Sequence, residues 1–168
     1  MKIRVIEPGN ADKWPKLKQM LLRFVTKYGD GRITTDAFDR LAKLAPEHLR
    51  RRGTQIVTAT VSVDGKKRLV GFSFVSDFGR ETCIVIVHPD YRKQEIGTKL
   101  LLEQTSRLGQ LMCQVALDNA ASIQMCFKAG LVAAHMSDGP TGKPTFHFES
   151  RPVAVKTAQS LTKGSQRR

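Results

Sequence analysis

The strongest chemical signal in this chain lies where a strand passes through a short polar turn into a helix. Residues 85–101 read VIVHPDYRKQEIGTKLL, an apolar run followed by polar residues and then by helical spacing. The amide N–H groups of such a turn point toward one spot, and the N-terminus of the helix adds about half a positive charge. Arg92 and Lys93 place two cations beside it, and Gly97 lets the backbone approach a ligand closely. The stretch therefore predicts a site for a phosphate or pyrophosphate group.

Other kinds of reactive centre have little support in the sequence. The four histidines show no ligand spacing with cysteines or acids, so we expect no metal site. The sequence also lacks the motifs of serine and cysteine nucleophiles. Three cysteines are an odd number and lie far apart along the chain, which argues against a disulfide framework: Cys83, Cys113 and Cys126.

Composition narrows the class of protein further. With 168 residues, 40% of them apolar and 26% charged, the chain fits one globular domain rather than a disordered or fibrous protein. It has no apolar run of the roughly 20 residues that a membrane-spanning helix requires, and its first residues lack an apolar leader. We therefore expect a cytoplasmic protein in a reducing compartment, with no membrane partner.

The net charge of +13 is the most unusual bulk property of the chain. Residues 151–168 hold five cations and no acid, so residues 1–150 still carry +8. Such a surface attracts phosphate-bearing partners, which leaves a nucleotide cofactor, RNA, DNA and an anionic membrane open. Aromatic residues are not interleaved with the basic ones, so a stacking platform for single-stranded nucleic acid is not indicated. We expect residues 151–168 to form a mobile basic tail.

Hydrophobic periodicity predicts a mixed α/β domain over residues 1–150. Asp64-Gly65 between two alternating runs is typical of a tight β-hairpin, and Pro46 should kink or split the second helix. The predicted order is a strand (2–7), a helix from Asn10 or Asp12 to Gly29, a helix from Thr35 or Asp36 toward Gly53, three meandering strands (55–63, 68–75, 82–88), a helix (97–108), a strand (111–117), a helix (119–129) and two strands (131–135, 144–149).

These elements and the central turn resemble the GNAT superfamily of N-acetyltransferases. The resemblance rests on VHPDYR at residues 87–92, on the turn 92–97 and on the helix start GTKLL at 97–101. Asn119 and the KAGL sequence at residues 128–131 resemble the second motif of the family. The resemblance implies an α/β fold in which a mixed sheet of six to seven strands is flanked by about four helices. The implied activity is transfer of an acetyl group from acetyl-CoA to a primary amine, by direct attack in a ternary complex.

The resemblance also assigns roles to individual residues. In the family, the fourth and fifth strands splay apart, and the acceptor amine meets the thioester in that gap. Main-chain groups at the end of the fourth strand pair with the pantetheine arm, and these would be Val85, Ile86 and Val87. Amides of the turn bind the pyrophosphate, and the asparagine that opens the next helix contacts the cofactor arm. In this chain those residues are Arg92, Lys93, Gln94, Glu95, Ile96, Gly97, Thr98 and Asn119.

Two positions depart from the family pattern. Glu95 stands where the first glycine of the turn is usual, and its carboxylate would repel a diphosphate by roughly 3 kcal/mol at about 5 Å before screening. We therefore predict weakened rather than absent CoA binding. Cys126 stands where many members have the tyrosine that protonates the departing thiolate. A thiol with a pKa of about 8.5 could serve as the acid, but we favour a small buried packing residue.

The sequence does not single out one residue as the base that accepts a proton from the amine. Some family members use a glutamate early on the fourth strand, where Glu81 lies, although a hairpin-turn residue is the interpretation we favour. Asp77 and His88 are weaker candidates. His135 and His147 could line the acceptor gap, or they could be ordinary packing residues. Acceptor selectivity is expected from residues 28–53 and 137–143, which do not identify the amine.

A second reading belongs to another class of protein. The fold could have lost efficient transfer and could act as a binding module, with its positive surface engaging nucleic acid or another polyanion. Glu95 and the missing tyrosine favour this alternative, whereas Arg92, Gly97 and Asn119 oppose it. A monomer and a homodimer are both compatible with the sequence.

Overall fold

A computed structural model describes residues 1–9 and 12–151 of the chain. The elements follow one another as β1 (Lys2–Val5), α1 (Trp14–Tyr28), α2 (Thr35–Ala42), β2 (Gln55–Val63), β3 (Lys66–Ser76), β4 (Thr82–Val87), α3 (Ile96–Leu108), β5 (Met112–Ala116), α4 (Ala120–Lys128), β6 (Leu131–Asp138) and β7 (Pro144–Ser150). The predicted mixed α/β fold is confirmed, with seven strands and four α-helices in the described ranges. The prediction of a mobile tail falls almost wholly on residues 152–168, outside them.

The strands form two antiparallel sheets rather than one continuous sheet. The first sheet has the order β1-β2-β3-β4, and the second has the order β5-β7-β6. β4 and β5 are therefore edge strands of different sheets, and each presents one row of main-chain groups away from its own ladder. Because Cys83 and Val85 of β4 share a core with Cys113 and Val115 of β5, the two edges are neighbours although they do not pair, and we call the space between them the gap.

Local signals account for most element boundaries. Asp64 and Gly65 both adopt positive φ angles, 49° and 74°, as the two central residues of a type I′ hairpin turn require. Pro46 opens a separate 3-10 turn, Pro46–Arg50, so the predicted second helix is indeed split. The first part of this predicted helix is α2, and its N-cap is Thr34, one residue before the predicted start. The Thr34 hydroxyl accepts a hydrogen bond from the Ala37 amide. The residue that precedes α1 is Lys13, which makes no side-chain cap, so the predicted caps are wrong there.

Burial assigns the two faces of β4 to different helices. Ile84 and Ile86 pack beneath α1 and α2 with Phe72 and Phe74. The alternate residues, Cys83 and Val85, face the other side, where α3 and α4 lie. A strand that is covered on both faces is held rigidly, so the main-chain groups along its free edge are fixed in position.

The backbone just before β4 touches the second sheet at Gly79. Gly79 is buried with a φ of 92°, and a Cβ at this position would overlap the carbonyl oxygen of Met112 at the start of β5. Glycine is required there because its missing side chain lets the two backbones touch. This contact, which we call the pinch, joins the approach to β4 to the first residue of β5.

Candidate active site

The polar turn after β4 is shaped by its own side chains. The Nδ1 atom of His88 accepts a hydrogen bond from the Asp90 amide at 3.2 Å, and the Arg92 amide donates to the Pro89 carbonyl at 3.2 Å. Lys93 and Glu95 then adopt left-handed conformations with φ of 62° and 60°. Two left-handed residues in three reverse the chain direction twice, so the segment curls before α3 instead of running straight.

The curl leaves a row of amides without partners. The N–H groups of residues 93–98 donate to no acceptor in the described part of the chain, and the first helical bond is Lys99 N to Glu95 O at 3.0 Å. Glu95 occupies the N-cap position but makes no capping hydrogen bond with its side chain. Acidic residues are also missing from the first turn of α3. The N-terminus of a 13-residue helix is thus left open to an anion.

Arg92 does not direct its charge into this curl. Its Nε donates to the Val87 carbonyl at 3.1 Å, and its Nη2 donates to the Tyr28 carbonyl at 3.2 Å. The same Nη2 lies 2.8 Å from Asp30 Oδ2. The guanidinium therefore ties the end of β4 to the loop after α1, and the cation left for a ligand in the turn is Lys93.

The Glu95 carboxylate pairs with a lysine of α4 and makes no hydrogen bond to the amide row. It is 59% exposed, and Oε1 lies 3.5 Å from the Nζ of Lys128 at the end of α4. The backbone of Glu95 shows why glycine is usual at this point, since a left-handed φ costs a residue with a Cβ roughly 1–2 kcal/mol. The carboxylate thus leaves the row of amides without a side-chain partner, although it still neutralises a nearby cation.

Gly97 has a different role from the one that the sequence suggested. A Cβ on Gly97 would clash with the Sδ of Met125 in α4, and it would also contact Val85. The missing side chain therefore lets α3 and α4 pack closely, rather than opening the backbone to a ligand. Close packing of these helices holds the α3 N-terminus against β4.

The free edge of β4 carries some of the predicted main-chain groups. His88 N donates to Val70 O, so alternation in the antiparallel ladder directs the main-chain groups of Ile86 toward β3. Those of Cys83, Val85 and Val87 face the open edge, where the Val87 carbonyl already accepts from Arg92. Val85 thus has an N–H and a C=O that face the gap without a partner, whereas those of Ile86 pair with β3. Cys83 also presents its main-chain groups to the gap, which the sequence analysis did not predict.

Asn119 begins α4 in the position that its motif predicts. Its Oδ1 accepts from the Ser122 amide at 3.3 Å and so caps the helix. This bond orients the side chain, so that its amide NH₂ group points away from the helix end. The residue can therefore cap α4 and donate to a bound molecule at once.

Cys126 lies in the core beneath α4. Its side chain is fully buried, and its Sγ lies 3.4 Å from the Sγ of Cys113. The hydrogen bond with Cys113, followed by burial, raises the pKa of the Cys126 thiol far above its ordinary value. A thiol in this environment is a poor proton donor near neutral pH. Its neighbour Phe127, in contrast, is 54% exposed.

We therefore expect Cys126→Ala to leave the turnover that the family resemblance implies within about threefold of the native chain, because the residue contributes packing rather than acid catalysis. The free energy of unfolding should fall by about 1 kcal/mol through the small cavity. Steady-state release of CoA thiol and urea unfolding measure the two effects separately. A loss of turnover with little loss of stability would show instead that the thiol acts in catalysis.

Glu81 precedes β4 and is tied to other elements. Its Oε2 accepts from the Ser76 hydroxyl at 2.6 Å and lies 3.2 Å from Nη1 of Arg40 on α2. The carboxylate is about half exposed, so it remains accessible to water. This arrangement joins α2 to the turn before β4.

A network of ion pairs crosses the open ends of β4 and β5. Asp118, just after β5, binds Arg32 at 2.7 Å and Lys143 at 2.9 Å. Hydrogen bonds from Lys143 and then from Arg32 lower the pKa of the Asp118 carboxyl. The sequence analysis placed Arg32 and Lys143 in the acceptor-side segments 28–53 and 137–143, but it did not identify Asp118, which pairs with both from a third segment. The network, together with Asp30 and Arg92, holds the loop between α1 and α2 across the gap.

Two findings concern other kinds of site. In residues 1–9 and 12–151, His, Cys, Asp and Glu side chains do not form a group of three that could hold a metal ion. Across the same ranges, the helices are too short or too polar to cross a membrane.

Comparisons with known proteins agree with this architecture. Residues 18–131 match the model of the acetyltransferase (GNAT) family. No curated protein matches the chain significantly. Similar solved structures include a putative acetyltransferase from Acinetobacter baylyi, with 17% identity, a TM-score of 0.63 and coverage of 88% of this chain and 92% of that one.

Two further structures are similar in fold. A putative GNAT acetyltransferase from Desulfovibrio desulfuricans has 18% identity and a TM-score of 0.61, over 88% of this chain and 96% of that one. A mutant spermidine N-acetyltransferase from Vibrio cholerae has 14% identity and a TM-score of 0.56, over 89% and 94%. Identities this low show the fold, whereas the family match covers more than half of the chain. By its sequence match and its two splayed sheets, the chain belongs to the GNAT family of acetyltransferases.

Proposed function

We propose that this acetyltransferase moves an acetyl group from acetyl-CoA to a primary amine, by direct attack within a ternary complex. The observation that carries the proposal is the row of unpartnered amides at residues 93–98, at the open N-terminus of α3. Converging N–H groups and a helix dipole form a site that suits a diphosphate. Lys93 and Glu95 adopt left-handed φ angles, which are typical of backbone turns that present successive amides to an anion.

The residues fit the rest of the cofactor as well. Val85 offers an N–H and a C=O on the free edge of β4, to which an extended amide-containing arm can add like a strand. Asn119 offers its side-chain NH₂ from the start of α4. Acetyl-CoA supplies an activated thioester, and these groups hold its arm along the gap between the two sheets. In this proposal the amide of Val85 also polarises the carbonyl oxygen of the thioester.

The chain promotes the reaction mainly through positioning. Holding an amine and a thioester in line can supply roughly 7–11 kcal/mol of the barrier without a covalent enzyme intermediate. Because Cys126 is buried, we assign proton transfers to water in the gap rather than to that thiol.

The proposal is tested by thermal shift with acetyl-CoA, free CoA and longer acyl-CoAs. A ligand at about 100 times its dissociation constant adds about 2.7 kcal/mol to the stability, which should raise Tm by about 5–10 °C. Similar shifts with CoA and acetyl-CoA are expected, because the diphosphate and the pantetheine arm make most of the contacts. Adenosine, which lacks both, serves as the control.

The alternative function is a binding module for nucleic acid or another polyanion. The observations that favour it are Glu95 at the turn and the absence of an acid at position 126. In that case no acyl-CoA would shift Tm, and a random DNA duplex would bind with a steep dependence on salt concentration. That pair of results would overturn the proposed function and support the alternative.

A further inference from the structure

A cavity of about 210 Å³ lies on the face of the second sheet that α4 does not cover. Residues that alternate along β5 and β7 point to this face, including Gln114 and His147, which are paired partners. His135 of β6 stacks on His147 with ring centroids 4.1 Å apart. Arg80, which directly follows Gly79 at the pinch, lines the side of the cavity next to the first sheet. The cavity is therefore built from both sheets, at the start of the gap between them.

The lining of the cavity includes one cationic and one anionic side chain. Arg80 provides a guanidinium, and Glu149 provides a carboxylate that has no ion-pair partner among the described residues. Arg80 lies 3.3 Å from Asp77, but both side chains are about half exposed, so this pair is weak and can exchange. Burial, and then the charge of His135, lower the pKa of His147 and so disfavour its charged form. His147 and Gln114 add neutral hydrogen-bonding groups.

The carboxylates beside the gap already form ion pairs with cationic side chains. Asp30 binds Arg92 at 2.8 Å, and Asp118 binds both Arg32 and Lys143. Residues 1–150 carry a net charge of +8. A polyamine needs several free carboxylates and would be repelled by this surface. The acceptor side therefore suits a molecule of low net charge that carries an anion of its own.

Distance indicates which part of the acceptor reacts. Arg80 precedes β4, and three residues of strand, about 10 Å, separate Thr82 from Val85. A group held in the cavity is thus too far from Val85 to be acetylated itself. A second amine on a flexible arm of several methylenes can extend along the gap toward it.

We infer that the cavity binds the ammonium and carboxylate of a free diamino acid, whose side-chain amine is the acetyl acceptor. Arg80 pairs with the carboxylate and Glu149 with the α-ammonium. The inference rests on the proposed function and names the substrate class of the same site. In the reaction, the side-chain nitrogen bonds to the acetyl carbon and the carbon–sulfur bond breaks. One amine proton ends on the CoA thiol, and the extra proton of an entering ammonium goes to water.

The test uses acceptors that differ by one charged group. Cadaverine is lysine without its carboxylate, and 6-aminohexanoate is lysine without its α-amine. Putrescine and ornithine repeat the first comparison with one methylene fewer. With the full-length chain and saturating acetyl-CoA, kcat/KM for lysine or ornithine should exceed that for its analogues at least about tenfold, as expected for one charge-assisted contact. Mass spectrometry of the product should place the acetyl group on the side-chain nitrogen.

Three variants then identify the contacts. Arg80→Gln should remove the preference for lysine over cadaverine, and Glu149→Gln should remove the preference for lysine over 6-aminohexanoate. Arg23→Gln on the exposed side of α1 is the matched control and should change neither ratio. The crossed pattern cannot arise from a general loss of folding, because each variant keeps one preference.

The outcomes separate the inference from the proposed function. If acetyl-CoA raises Tm but cadaverine reacts as well as lysine, or neither diamino acid reacts, the inference is wrong and the proposed function stands. If both variants weaken every acceptor equally, the cavity is not a head-group site. If no acyl-CoA binds, the proposed function fails and the inference fails with it.

Discussion

Glu95→Gly is expected to lower the dissociation constant for acetyl-CoA about tenfold, or about 1.4 kcal/mol. The substitution removes a negative charge beside the amide row and frees Lys128, which lies 3.5 Å from the carboxylate. The local net charge thus becomes more positive by one unit where a diphosphate would bind. It also removes a Cβ from a left-handed residue, so the curl should form with less strain. Isothermal titration calorimetry at low and high salt measures the gain.

Two controls separate charge from backbone. Glu95→Gln removes the charge but keeps the Cβ, so it should give the part of the gain that high salt abolishes. Glu103→Gln removes a carboxylate farther along the same helix, where it pairs with Arg107 at 2.6 Å, and should change affinity little. If Glu95→Gly binds acetyl-CoA no more tightly than the native chain, the turn is not a diphosphate site of the kind proposed.

Gly79→Ala should lower the free energy of unfolding by about 4 kcal/mol. A residue with a Cβ is strained at a φ of 92°. The alanine Cβ would also overlap the carbonyl oxygen of Met112, a backbone atom that no change of side-chain rotamer can move. The approach to β4 and the start of β5 would then have to separate, so the two sheets lose their contact at the pinch. Urea unfolding followed by circular dichroism measures the loss.

Gly130→Ala provides the matched comparison. Gly130 has a φ of 81°, but a Cβ built there meets nothing within 4 Å. This variant should therefore show the conformational cost alone, about 1–2 kcal/mol. Equal losses for the two variants would mean that the backbones are not in contact at the pinch and that the sheets are joined elsewhere.

Features determined by neighbouring residues were predictable from the sequence. The hairpin at Asp64-Gly65, the start of α4 after Asn119 and the turn that leads into α3 all lie where their local patterns place them. Each depends on φ preferences or on a cap that reaches only a few residues along the chain. The start of α1 was not predictable in this way, because a helix held by its buried face needs no capping side chain.

The role of Gly97 shows where such reasoning stops. A glycine in a polar turn is typical of close approach to a ligand, yet the group that occupies the missing side chain here is Met125 from α4. Likewise, the positive charge of Arg92 suggested a phosphate contact, whereas its guanidinium binds Asp30 and two carbonyls. In both cases the partner comes from a distant segment that only the packed fold brings near.

The sequence by itself determined the family, the order of the elements and the segment that curls before α3, because those depend on local conformation and on hydrophobic spacing. The tertiary structure decided that the cysteines at 113 and 126 touch, that two histidines stack and that one arginine and one glutamate share a cavity. The shared cavity depends on how the two sheets meet at Gly79, whereas the cysteine and histidine contacts depend on packing within the second sheet and against α4. All three follow from burial summed over the whole chain rather than from any one stretch of it.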